Sequence, residues 1–157
     1  MLAEETKKKH TSEDLFEWRK RVVTNGVGVF NPSTAVTASG AIITNADGKE
    51  LIDFGGGIGV LNSGHCPEPV VKAIQEQAEK LIHTCFNVAT YDVYMELADE
   101  LISILPHGDH TKVMLTTSGA ESVENAIKIA RQATGRPGII CFSDAFHGRT
   151  MMAMSLT

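Results

Sequence analysis

The sequence predicts an α/β fold, and three observations carry that prediction. Residues 112–143 read as strand, helix, strand, with the helix too long for anything but a crossover between parallel neighbours. That helix opens on a run of small hydroxyl and glycine residues, TTSGA, directly after the first strand. The part of the chain before it mixes helices with a hairpin, so an N-terminal α+β segment leads into the α/β unit.

The elements follow in order. Residues 1–11 are charged and are expected to be disordered; Ser12 is the expected cap of a helix, EDLFEWRKRVV, with Leu15, Trp18 and Val22 on one face. AIITNADGKELIDF (41–54) places apolar runs on both sides of Asp47-Gly48, the signal for a hairpin. GGGIGVLNSGHCP (55–67) is a loop too rich in glycine for a regular element. Two amphipathic helices are predicted next. The first, near 68–82, carries Val70, Val71, Ile74, Ala78 and Leu81; the second, near 91–105, carries Tyr94, Leu97, Leu101 and Leu105 and stops before Pro106. KVMLTT (112–117) and GIICFS (138–143) are the two strands. Between them Ala120, Val123, Ile127, Ala130 and Ala133 form an apolar stripe, Glu121, Glu124, Lys128 and Arg131 a solvated one, and Gly135 and Pro137 end the helix.

Composition narrows the function classes. A chain of 157 residues is long enough to bury a core as one domain, and 43% apolar with 21% charged residues is ordinary for a globular protein. Fourteen basic against nineteen acidic residues leave a net charge of −5, which argues against nucleic acid and an anionic membrane as partners. No apolar run approaches the length of a membrane span. Cys66, Cys85 and Cys141 are odd in number and far apart, which suggests neither disulfides nor a metal site and fits a cytoplasmic location. His107, Asp109 and His110 read as a solvated loop, Cys66 beside His65 as a loop pair, and Lys128 as a surface residue, so no metal is expected.

Two segments carry chemistry. Ser118-Gly119-Ala120 lies at the carboxyl end of a strand and the start of a helix, where ligands of α/β sheets bind and backbone N–H groups lack intrahelical acceptors. Two readings stand for it: an anion site with the Ser118 hydroxyl as a further donor, or a serine that only caps the helix. A P-loop is excluded because no Gly-Lys-Ser/Thr occurs, and Gly55–Gly59 fails the dinucleotide pattern because Val60 replaces its last glycine. SDAFHGRT (143–150) follows the second strand and brings Phe146, His147 and Arg149 to the same end of the sheet. Phe146 suits stacking on a heteroaromatic ring, and Arg149 suits a carboxylate.

In order, GVGVFNPSTAVTASGA, ELIDFGGGIGVLNSGHCPEPVVKAI, TTSGAESVENAIKIAR and FHGRT resemble the class III, fold type I aminotransferases that use pyridoxal 5′-phosphate, above all their bacterial 4-aminobutyrate branch. The resemblance runs from about residue 25 to Thr157. It implies residues 1–56 as part of a small domain and 57–157 as the start of a mostly parallel-sheet cofactor domain. It implies that Ser118, Gly119 and Ala120 hold the cofactor phosphate, that Phe146 stacks on the pyridine ring and that His147 lies beside it. Ile58, Arg149 and Asn87 are implied on the substrate side, with Arg149 taking the carboxylate remote from the reacting amine. The implied reaction moves the amino group of 4-aminobutyrate, or a similar ω-amino acid, to 2-oxoglutarate in a homodimer or higher homo-oligomer. An acetylornithine or other ω-aminotransferase, and a non-catalytic remnant, are the alternatives. The Schiff-base lysine and the acidic partner of the pyridinium nitrogen are implied beyond Thr157, so the chain is expected to be an N-terminal part, inactive alone.

Overall fold

The computed structural model describes residues 9–108 and 110–157, in two compact units with the chain boundary between Thr84 and Cys85. Residues 1–8 of the expected disordered tail, and Asp109, lie outside the described residues.

In the N-terminal unit, helix α1 (Ser12–Val22) is capped one residue earlier than expected, by Thr11. The Thr11 N–H donates to Asp14 Oδ2 at 2.9 Å and the Asp14 N–H to Thr11 Oγ1 at 3.2 Å, a closed capping box. Ser12 is freed for long-range work. Its N–H donates to Asp47 Oδ1 at 2.9 Å and its hydroxyl pairs with Thr34 Oγ1 at 2.8 Å. Thr34 Oγ1 also accepts from the N–H of buried Ala46 at 3.1 Å, so one hydroxyl ties helix to hairpin. The Ser12 N–H also holds the Asp47 carboxyl below its usual range.

The hairpin forms around Asp47-Gly48 as expected, between β2 (Ile42–Thr44) and β3 (Glu50–Ile52), with Ile43 opposite Leu51. Asn45 Oδ1 closes its turn by accepting from the N–H groups of Asp47 and Lys49. A strand with no counterpart in the sequence reading, β1 (Thr37–Ser39), adds to β2, giving an antiparallel sheet in the order β1-β2-β3.

The glycine-dense segment is not a plain loop. It contains a single helical turn, α2 (Gly56–Gly59), in which Gly56, Gly57, Ile58 and Gly59 all have positive φ, so the turn is left-handed. Asp53 anchors it. Its Oδ1 accepts from the Gly55 and Gly56 N–H groups, both at 2.9 Å, and its Oδ2 lies 2.8 Å from His65 Nε2. His65 in turn exchanges two backbone hydrogen bonds with Gly40. At Gly64, with φ +77°, a Cβ would lie 2.9 Å from the Gly40 carbonyl oxygen, so the crossing admits only glycine. Helix α3 (Glu68–Lys80) follows. Its apolar stripe stays open: Ile74 is 63% exposed and the helix has no buried residue, because no other element of its unit packs on it.

The C-terminal unit begins with a cluster in which Phe86 stacks on Tyr94 at 4.1 Å and meets Tyr91 edge-on. Tyr94 projects from α4 (Asp92–Ile104), and its hydroxyl oxygen accepts from the Leu115 N–H at 2.9 Å. Helix α5 (Gly119–Thr134) ends at Gly135, a left-handed C-cap, where Arg131 Nε donates to the Pro137 carbonyl. A short helix, α6 (Met151–Met154), packs on α5.

The two strands expected at 112–117 and 138–143 are not formed among the described residues. Strand identity needs a ladder, and neither segment finds a paired strand among the described residues; Ile140 is 98% exposed. The expected core is correspondingly thin: Ala46, Ile127 and Ala153 are its buried apolar members among the described residues. Accessible surface reaches 13734 Å². Two separately folded units of this size would expose only roughly 9,000 Å².

The Asp53 knot carries a pH signature. Its hydrogen bonds to His65 first, then to Gly56, hold the Asp53 carboxyl below its ordinary range. A depressed carboxyl adds stability above its unfolded pKa and loses it as pH falls through the lower folded value. Thermal unfolding between pH 6 and 3 is therefore expected to show an acid-side loss of stability that Asp53→Asn removes, the variant being less stable near neutrality. Identical curves for both proteins would contradict the anchoring role.

Candidate functional site

A cleft of about 570 Å³ lies wholly within the C-terminal unit, lined by the first turn of α5 and by residues 146–150. Its location follows from two local facts. Ser118 is extended (φ −147°, ψ 158°), so α5 begins abruptly after it, and the N–H groups of Gly119 and Ala120 have no acceptor among the described residues. Gly148, at φ +130°, lets the following segment cross that turn at close range. A Cβ there would lie 2.6 Å from Ala120 Cβ and 3.1 Å from Ala153 Cβ.

The structure brings most of the sequence candidates together. Ser118, Gly119, Ala120, Phe146, His147 and Arg149 all line the cleft. The Phe146 ring is 75% exposed, an aromatic face left bare beside free backbone donors. His147 Nδ1 is buried, with no hydrogen-bond partner among the described residues, so a cleft-lining residue carries one unspent polar valence. No hydrogen bond or ion pair engages the Arg149 guanidinium among the described residues. No lysine lines the cleft.

Ser118 caps its helix. Its Oγ accepts from the Glu121 N–H at 3.3 Å, and its N–H donates to Glu121 Oε2 at 2.9 Å. The hydroxyl is also 3.4 Å from that carboxylate oxygen, so the donors free for an anion are the Gly119 and Ala120 N–H groups. Asn87 lies exposed in the turn 86–88 and is not among the cleft-lining residues. Ile58 belongs to the N-terminal unit, 84% exposed in the left-handed conformation (φ 64°, ψ 49°). A β-branched side chain there is strained, a feature that concentrates at functional segments.

Sequence reasoning missed Glu121 and Gly148. Glu121 had a signal, since Ser-x-x-Glu before an apolar stripe is the capping-box pattern. Gly148 had none, because its contact with Ala120 is made across the fold.

The chain belongs to the aminotransferase class-III family, whose model matches residues 24–157. It is 50% identical to 5-aminovalerate aminotransferase DavT of Pseudomonas aeruginosa over 147 residues, 94% of this chain and 34% of that protein. It is 43% identical to 4-aminobutyrate aminotransferase GabT of Escherichia coli over 148 residues, 94% of this chain and 35% of the relative. Among solved structures, the taurine:2-oxoglutarate aminotransferase of Bifidobacterium kashiwanohense, in complex with PLP and glutamate, superposes with a TM-score of 0.82 at 30% identity. That match covers 93% of this chain and 33% of the other. The chain spans about a third of the length of the curated relatives it matches. Among the described residues no helix is long and apolar enough to cross a membrane.

The crossing at Gly148 sets a stability prediction. Gly148→Ala must force a Cβ into Ala120 and hold a non-glycine residue at φ +130°. A loss of about 2 kcal/mol or more is expected in denaturant unfolding. A change below about 0.5 kcal/mol would mean that the segment does not cross α5 this closely.

Proposed function

We propose that this chain forms the phosphate- and ring-binding part of an ω-amino-acid aminotransferase that uses pyridoxal 5′-phosphate. The single observation behind the reading is the convergence of the α5 N-terminus with Phe146, His147 and Arg149 on one cleft. The residues present fit the cofactor. Gly119 and Ala120 offer free N–H donors at the positive end of a helix dipole, suited to the phosphate. The bare Phe146 face suits the pyridine ring, and the unspent His147 Nδ1 suits a polar substituent beside it. Gly148 gives the close backbone approach that the cradle needs. Bound there, the cofactor supplies the electron sink for moving an amino group between an amino acid and a 2-oxo acid.

This chain's residues then bind and orient. Arg149, with its guanidinium unengaged, takes the carboxylate remote from the reacting amine through two parallel N–H···O bonds. That directs the other end of a four- or five-carbon ω-amino acid toward the ring. Substrates named for the similar proteins, 4-aminobutyrate and 5-aminovalerate, have that form, and 2-oxoglutarate is the proposed acceptor. Ile58 and Asn87 complete the substrate side in this reading. Residues 1–56 belong with a small domain and 57–157 open the cofactor domain. A second copy of the chain is the proposed protein partner, and the exposed thiols of Cys66, Cys85 and Cys141 suit a cytoplasmic location.

The test is Arg149→Lys in the intact protein. Lysine keeps the charge and loses the fork, so about 2–4 kcal/mol of binding is expected to go, roughly 30- to 1000-fold in kcat/KM for 4-aminobutyrate. Cofactor retention should stay near wild type. Unaltered turnover would remove Arg149 from the substrate site, and cofactor loss would move it to the phosphate.

A further inference from the structure

The capping box puts a negative charge where the proposed function places another. Glu121 Oε2 accepts from the Ser118 N–H at 2.9 Å, at the same helix end where Gly119 and Ala120, whose N–H groups have no acceptor among the described residues, line the cleft. No cation pairs with Glu121 among the described residues, so the helix N-terminus is what balances its charge. The box itself does not need that charge, because glutamine closes the same pair of hydrogen bonds.

We infer that Glu121 is a positioning residue that also limits the strength of the anion site at the start of α5. It acts in two opposed ways. By holding the Ser118 N–H and accepting from its hydroxyl, it fixes Ser118 extended, which leaves the Gly119 and Ala120 N–H groups pointing out of the helix. By adding a carboxylate to the same dipole end, it weakens the site's hold on a phosphate dianion and so keeps the cofactor exchangeable. This inference rests on the phosphate reading above, and the two can fail separately.

The experiment compares binding of pyridoxal 5′-phosphate and of pyridoxal, which lacks the phosphate, to the intact apoprotein by absorbance titration. Gly119→Pro tests the site. It deletes one N–H at the first helical position, which accepts proline after an extended residue, so the helix should survive. Its Kd for pyridoxal 5′-phosphate is expected to rise about tenfold or more, with pyridoxal unchanged. Glu121→Gln tests the inference. It keeps the hydrogen bonds and removes the charge, so its Kd for the phosphorylated ligand is expected to fall about three- to tenfold, with pyridoxal unchanged. Glu121→Met removes both, and its lower melting temperature relative to Glu121→Gln would report the lost cap. Loss in Gly119→Pro without a gain in Glu121→Gln overturns the inference and leaves the site standing. No loss in Gly119→Pro overturns both. Should Glu121→Gln fail to fold, the wild-type apoprotein decides: weakening of inorganic phosphate binding by salt as steep as that of a site without a neighbouring carboxylate would overturn the inference.

Discussion

An α-helix starts with backbone N–H groups that cannot be satisfied within it, and in this chain the way α5 handles that constraint governs the C-terminal unit. Ser118 and Glu121 close the outer donors into a capping box, while Gly119 and Ala120 keep theirs open. The opening is useful only because the helix start is held against something. Gly148 brings its segment onto Ala120 and Ala153, and the absence of a single Cβ makes that contact possible. Phe146, His147 and Arg149 are then carried to the mouth of the helix by their spacing around that glycine. Thr150 extends the arrangement by capping α6, whose Ala153 is fully buried.

The N-terminal unit solves a related problem with a carboxylate in place of a helix end. Asp53 gathers two loop N–H groups and the His65 ring at once, and His65 fastens to Gly40 through its backbone. Each partner removes a donor that would otherwise be unpaired, and together they pin both ends of the glycine-rich segment. Neither unit depends on a large apolar core. Ordered hydrogen bonds and small-residue contacts set their local geometry, while faces such as that of α3 stay open to solvent.

What was legible in the sequence was local. Gly135 ended α5 where a left-handed residue was required, Asp47-Gly48 turned the hairpin, and the helical stripes located α3, α4 and α5 to within a residue or two. The cap of α1 was misplaced by one position because Thr11 and Ser12 are both hydroxyl residues; Asp14, three residues after Thr11, decides between them. Strands 112–117 and 138–143 could not be confirmed by apolar content, since a ladder is a property of two segments. The site residues on 118–120 and 146–149 were readable as motifs, yet their meeting was not, because Gly148 and Ala120 are distant along the chain. The Asp53–His65 pair was invisible for the same reason.

The left-handed turn at Gly56–Gly59 has a stereochemical consequence. Three of its four residues are achiral, so over that span the backbone is close to the mirror image of an ordinary helical turn. A chemically synthesised chain carrying D-alanine at Gly57 or Gly59 would meet no penalty of handedness, whereas L-alanine there would. Ile58 is the one place where chirality works against the turn, and an L-residue is held in the geometry natural to its enantiomer.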